Sequence, residues 1–600
     1  MPTSIKSDDV QAVLNQARQS KLTPSPEDWR DQWIYFLMVD RFNNPASKPK
    51  NLPYDAKFGG FQGGTIEGMR QQLDYLKKLG VGAIWFTPVL KNCQFLDGNP
   101  NDGTYHGYGI QDFLEIDPRF AANPNNVEQE LRAFIDEAHS KGIYIIFDIV
   151  LNHTGDVFAY ESKGSEAPFS DTPYTVNWRD EKGNARADWQ VAEKIQNPPA
   201  DAAVFPKELR RNEFFRRQGA PKPGGAETIG DFSSLKQLLT SNQELGNVLI
   251  RSFQYLIAKY DIDGLRIDTL KYLDPNFALT FGNAIREFAL SIGKKNFFTY
   301  GEIYDNEQKI SQFIGRRASA SGDLVGVDAS LDFPLFFRLP GVAKGSLPPT
   351  ELVNMYHERK VVERDIISSH GEATAFFVTF LDNHDQHQRF YFSPDGNPHQ
   401  FDDQATLGFG CLFSLPGIPC LYYGSEQGLH GNGDSDQNVR EALWGKSNAF
   451  DPNHPFYKTI QQLTNVRNEQ PALRYGRFYF RPISGDGFHF GISNLQPGVL
   501  AFSRILNDQE VVAIANTNTQ SDFVGSVIID SNLNPVDVEF KILFSNKTNP
   551  TVPEPVKSAG TAEIHEVDGG VSSGPARVLP VTLKPMEIQI LGRLIGTRSF

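Results

Sequence analysis

Ile143-Tyr-Ile-Ile-Phe-Asp-Ile-Val-Leu-Asn-His153 is the stretch that decides the fold. Its β-branched and aromatic residues run without the polar alternation of a half-wet strand, as in a strand buried on both faces of a parallel sheet. The run ends in Asn152 and His153, where a strand reaches the edge of its sheet. Upstream, residues 127–141 read as a helix that stops at Gly142. Three more segments close an apolar run in the same way: Gly264-Leu-Arg-Ile-Asp-Thr269, Gly301-Glu-Ile303 and Phe380-Leu-Asp-Asn-His-Asp385. They set Asp268, Glu302 and Asp385 at strand ends, beside Asp148 in the first stretch.

Working outward, the same rhythm recurs. Trp33–Val39 reads as a first buried strand. Thr65–Leu79 reads as one helix, with Ile66, Met69, Leu73, Leu76 and Leu79 on one face, Thr65 as N-cap and Gly80 as stop. Val81–Phe86 follows as a strand, and later candidates are Phe297–Glu302, Val325–Leu331, Phe376–Leu381 and Cys420–Tyr423. Eight apolar runs, mostly separated by helical stretches, predict an α/β fold, a closed (β/α)₈ TIM barrel. Residues 1–30 read as a polar helical leader, and 31–152 and 231–480 as the two parts of the barrel. The polar, Pro- and Gly-rich stretch 153–230 is too long for a bare loop and predicts an inserted domain after strand three. Residues 481–600 alternate in short segments between turn residues, as in a C-terminal antiparallel β-domain.

Composition narrows the function. The net charge is −14, and the acidic residues are spread rather than clustered. A nucleic-acid partner needs a concentrated basic surface, so none is expected. The cysteines, Cys93, Cys411 and Cys420, are too few and wrongly spaced for a disulfide framework or a zinc site. The N-terminal residues carry no apolar stretch after a charged start, and no membrane span is evident, so the expected location is cytoplasmic.

In such a barrel the site forms at the C-terminal ends of the strands, so Asp148, Asp268, Glu302 and Asp385 are expected to converge. Retaining hydrolysis of a glycoside needs one ionised carboxylate and one protonated carboxyl roughly 5 Å apart. Arg266 lies two residues before Asp268 and points the same way, so its charge is expected to lower the Asp268 pKa. Glu302 follows Phe297, Phe298 and Tyr300, an apolar setting that suits the acid. Each feature has a plainer reading. Asp268 beside Arg266 is by itself a buried ion pair, Asp148 a structural acid, His153 a satisfied polar residue and Lys271 a solvated charge. The joint occurrence of four ordered motifs outweighs these readings.

Together these segments resemble the α-amylase family, glycoside hydrolase family 13, over roughly residues 31–480. The resemblance implies Asp268 as nucleophile, Glu302 as general acid/base and Asp385 as transition-state stabiliser, with Arg266 beside the nucleophile and Asp148 supporting the site. It implies that His153 and His384 bind sugar hydroxyls, that Tyr108 stacks under the sugar and that Asp436 and Arg440 grip the next sugar. Lys271 matches a leaving-group-side residue. The chain departs from the family where Gly109 follows Tyr108, where Tyr272 follows Lys271, and where Gly230-Asp-Phe232 stands for a usual Pro-Asp-Leu. The resemblance admits a calcium ion held by Asn152 and the backbone of Tyr272, with further ligands from the insert. Asp40, Asn43 and Asn44 read as a turn after the first strand rather than a second metal site. The implied activity is retaining hydrolysis of α-1,4-glucosidic bonds in starch, glycogen or maltodextrin, with an α-glucan as partner and no organic cofactor. The alternatives are a transglycosidase or a cyclodextrin-, pullulan- or branch-acting hydrolase on the same residues, and a non-catalytic glucan-binding barrel.

Overall fold

Eight short strands carry the molecule: β1 Ile34–Leu37, β2 Ala83–Phe86, β3 Tyr144–Val150, β4 Gly264–Asp268, β5 Phe298–Gly301, β6 Ala329–Ser330, β7 Val378–Thr379 and β8 Ile418–Tyr422. All neighbours pair in parallel, in the order 6-5-4-3-2-1-8-7. The ring closes where Leu331, just past β6, bridges Val378 of β7. This is the expected (β/α)₈ barrel in a computed structural model that describes residues 2–224, 230–316, 324–364, 366–446 and 448–593. Residues 225–229 of the expected insert and 594–600 of the expected C-terminal domain therefore lie outside the described residues.

The strands form where the sequence is most continuously apolar, because both faces are covered. Phe36 of β1 stacks on Trp85 of β2 with ring centroids 3.6 Å apart, and on Tyr422 of β8 at 5.4 Å. Register aligns Arg266 of β4 with Asp148 of β3 on one side and Tyr300 of β5 on the other. Most strands are shorter than their apolar runs. Val325–Leu331 yields a ladder only over Ala329–Ser330, because Val327 turns aside to bridge Ile314. The helix expected over Thr65–Leu79 is two, Ile66–Gln71 and Leu73–Leu79. The break comes at Gln72, whose N–H bonds back three residues to Met69 rather than four. Its ends are as expected: the Thr65 hydroxyl caps Gly68 N–H, and Gly80 takes φ +95°.

The leader is not loose. Its helix Asp8–Ala17 buries Val10, Leu14 and Ala17 against the barrel helix Gln243–Tyr260. The stretch after β3 contains short strand pairs and 3₁₀ turns, and no α-helix among its described residues. It leans on the β2 exit, where Ile110–Ile116 pairs with Leu90–Asn92 and exchanges backbone hydrogen bonds with Phe205. Lys236–Gln237 then returns to pair with His153–Thr154.

At the far end, Arg477–Phe480, Val499–Leu506, Gln509–Asn516, Lys541–Ser545 and Glu587–Gly592 form an antiparallel sheet. One face joins the barrel core through Phe502, Ile588 and Ile590. The other packs on a small closed sheet to make a second core around Val512, Ile514 and Leu591. Cys93, Cys411 and Cys420 are free and buried. Among the described residues, no helix is long and apolar enough to cross a membrane.

Candidate active site

Arg266 is the hub. Inward-facing on β4 and fully buried, it donates through Nη1 to Asp148 Oδ1 at 2.8 Å and Asp268 Oδ1 at 2.9 Å, and through Nη2 to Glu302 Oε2 at 2.6 Å. One planar fork thus bonds three carboxylates from β3, β4 and the end of β5. Thr269 follows Asp268 in the left-handed region, φ +48°. That turn aims its N–H at Glu302 Oε2, 3.2 Å, and its hydroxyl at Asp268 Oδ2, 3.0 Å. Gly301 makes room for the approach, since a Cβ there would meet the Leu270 side chain at 2.0 Å.

Burial sets the protonation states. It pushes Glu302 up to about 8; Arg266 offsets part of this, while Asp268 and Asp385 add to it. Asp268 is also pushed up by burial, to about 6, against the pull of Arg266. The sequence reading had Arg266 lowering Asp268; it does pull that way, but desolvation outweighs it, and the charges of Asp148 and Asp385 add to the rise. Asp385 is raised by burial but pulled further down by His384 and Arg440, and ends below the usual carboxylate range. Near pH 7 Glu302 therefore holds its proton while Asp268 and Asp385 are ionised.

The remaining expected residues gather around this centre. Asp148 is braced by Trp85 Nε1 at 3.0 Å and the Tyr108 hydroxyl at 2.9 Å. That hydroxyl also lies 2.7 Å from His384 Nε2. Its single proton goes to the carboxylate, so His384 carries its hydrogen on Nε2 and donates it to Tyr108. Burial holds His384 down to about 3 and His153 to about 4, so both rings are neutral. His153 Nε2 and His384 Nδ1 are buried without a hydrogen-bond partner among the described residues. Arg440 donates to Asp385 Oδ1 at 2.9 Å, pairs with Asp436 Oδ2 at 2.6 Å and bonds the Tyr105 hydroxyl and the His384 carbonyl. Lys271 is not a solvated charge: it is buried and donates to the Tyr304 carbonyl at 3.0 Å.

Trp85, Tyr105 and Thr269 are the members that sequence reasoning missed. Thr269 closed a quoted motif but was given no role there. Trp85 lies in the β2 run as Asp148 lies in the β3 run, and that placement was its only signal. Beside Glu302 and Asp385 opens a cleft of about 530 Å³ lined by Tyr304, Phe333, Phe336 and Gln388.

Calcium fits less well. Ca²⁺ takes about six to eight oxygens, carboxylates prominent among them. The Asn152 side-chain carbonyl accepts from Gln237 Nε2 at 3.4 Å, and its backbone carbonyl accepts from Leu238 N–H at 2.8 Å. Asp231 accepts from Gln237 N–H at 2.9 Å and the Tyr160 hydroxyl at 2.5 Å. Tyr272 lies nearby, its ring 4.9 Å from that of Phe232. Among the described residues no three His, Cys, Asp or Glu side chains gather as ligands. Where a turn was expected, Asp40 lies in a one-turn helix, Val39–Phe42, with Asn43 as its C-cap and Asn44 just beyond. The Asp40 carboxylate pairs with Arg41 and accepts from Gln62 and Gly63 N–H, and Asn43 and Asn44 donate to the Gly68 and Gly63 carbonyls.

Known proteins resemble this chain in sequence and in fold. An α-amylase from Streptomyces lividans is 27% identical over 574 residues, covering 86% of this chain. A β/α-amylase from Paenibacillus polymyxa is 28% identical over 516 residues, covering 83%. The chain spans 59% and 35% of the length of those two relatives. The crystal structure of an α-amylase from Geobacillus thermoleovorans complexed with acarbose superposes with TM-score 0.61 at 22% identity, covering 95% of this chain and 100% of that one. Its likeness is one of fold. The model for the α-amylase catalytic domain matches residues 36–448, more than half the chain, and on that match the chain belongs to the α-amylase family.

Proposed function

We propose that the chain is a retaining glycoside hydrolase that cleaves α-1,4-glucosidic bonds in starch-, glycogen- or maltodextrin-type glucans. The observation that carries this reading is the shared fork: Asp268 and Glu302 bond the two arms of one guanidinium. Two carboxyls bonded to one guanidinium support the short separation that a double displacement needs. Ionised Asp268 attacks the anomeric carbon while protonated Glu302 gives its proton to the leaving oxygen. The sugar becomes an ester of Asp268. Glu302, now a carboxylate, takes a proton from water, which attacks the same carbon, breaks the ester bond to release Asp268 as a carboxylate and restores the α configuration. Asp385, held ionised by the Arg440 guanidinium, faces the positive charge that builds on the ring.

The test is a product profile from maltooligosaccharides, soluble starch, pullulan and cyclodextrin, with Glu302→Gln as control and NMR of the first anomer released. Short maltodextrins of α configuration, lost in the variant, support the reading. Initial β products, or wild type inactive on every glucan, overturn it. A second reading, transfer to a sugar acceptor, rests on Tyr304. This half-exposed ring lies two residues past Glu302 and packs edge-on against Phe333 and Phe337. Products longer than the supplied oligosaccharide decide for it.

A further inference from the structure

Lys236 takes no part in this mechanism, yet it is completely buried. Lysine is almost never so unless paired. Its ammonium lies 3.4 Å from Asp156 Oδ1 and 3.6 Å from Asp231 Oδ2 and donates to the Ser165 carbonyl. It also sits over the rings of Tyr160 and Phe158, 4.7 and 5.3 Å from their centroids. Asp156, Phe158, Tyr160 and Ser165 all belong to the first turns of the insert. Lys236 itself sits on the strand that pairs with His153–Thr154 at the exit of the barrel. The ammonium therefore ties the two ends of the insert together at its root.

Asp156 and Asp231 are both buried, and two desolvated carboxylates need a cation between them. Arg179 takes the other oxygen of Asp156 at 3.2 Å, leaving Oδ1 to Lys236. The surroundings suit an ammonium rather than a divalent ion. Ring faces attract an ammonium, whereas calcium takes oxygen ligands at about 2.3–2.6 Å, well inside these separations. The residue after Lys236 completes the arrangement, since Gln237 supplies the hydrogen bonds to both Asn152 and Asp231.

We propose that Lys236, buried between Asp156, Asp231 and the Ser165 carbonyl, is a built-in substitute for a structural calcium ion, so that the insert is held to the barrel without metal. This is independent of which glucan the chain cuts. Gln237 is the register partner of His153, so the ammonium also steadies the strand behind that imidazole.

The test uses the full-length protein, purified in calcium-containing buffer and gel-filtered. Elemental analysis and calorimetry are run before and after EDTA. The expected result is no stoichiometric calcium and a Tm that chelation does not move. Lys236→Met keeps the length and removes the charge, and should melt several degrees lower. Calcium retained at one per chain, or a wild-type Tm that drops by degrees in EDTA, overturns the proposal. So does a Lys236→Met chain as stable as wild type. Should the variant fail to fold, the wild-type measurements decide alone.

Discussion

Glu302 and Asp268 hang from one guanidinium but sit in unequal surroundings, and the pH dependence should follow from that. Glu302 must be protonated at attack and is held up at about 8, so kcat/KM should fall as pH rises through that value. Asp268 must be ionised and titrates at about 6, so kcat/KM should fall again as pH drops through it. A pH–rate profile on maltooligosaccharides should be a bell between these limits; a profile flat to pH 10 removes Glu302 from the acid role. Glu302→Gln should lower kcat by about 10²–10⁴-fold with little change in Tm, measured by reducing-sugar release and calorimetry. The carboxylates were legible in the sequence because each follows an apolar run and so sits at a strand end. Their pKa order was only half legible: the apolar neighbours of Glu302 showed, but the sharing of Arg266 among Asp148, Asp268 and Glu302 depends on cross-strand register.

The strands themselves were readable for a related reason. A strand with helices over both faces is apolar throughout, and no turn residue interrupts it. What the periodicity could not show was how little of several runs forms a ladder, or that Thr65–Leu79 breaks at Gln72. The insert was legible only as a length and a composition. Its short pairs and 3₁₀ turns are stabilised by side chains such as Lys236, Arg179 and Trp178 rather than by a repeating pattern. At the level of one element, Gly301 makes a specific prediction. The β5 end and the turn after β4 approach so closely that a methyl group would strike Leu270. Gly301→Ala should destabilise by about 1–3 kcal/mol in denaturant titration. It should also lower kcat more than it raises KM, because the displaced residue carries Glu302. Unchanged kcat would mean that the turn yields instead of the strand.

At the scale of the whole chain, the C-terminal sheet is a wall of the barrel as much as a domain. Ile588 presses on Gly410 of the barrel helix Asp402–Ser414 so closely that a Cβ there would lie 2.8 Å from its methyl. Ile588→Ala should cost about 2–5 kcal/mol and lower the melting of barrel and sheet together, seen as one calorimetric transition. Two separate transitions would show the sheet to be an independent body. The ring itself is unevenly fastened. β3 and β4 share five register pairs, while β6 and β7 meet at the single bridge of Leu331 and Val378. The barrel is thus a hoop with a clasp, stiff where Asp148 and Asp268 are mounted and thin at the β6–β7 seam. Hydrogen–deuterium exchange should find the Asp332 amide, bonded to the Val378 carbonyl, trading sooner than those of Arg266 and Asp268. The clasp lies beneath Phe333 and Leu381, two walls of the cleft beside Glu302. A bulky chain entering there would ease the hoop at its fastening, and the staves that hold the acid and the nucleophile would keep their places.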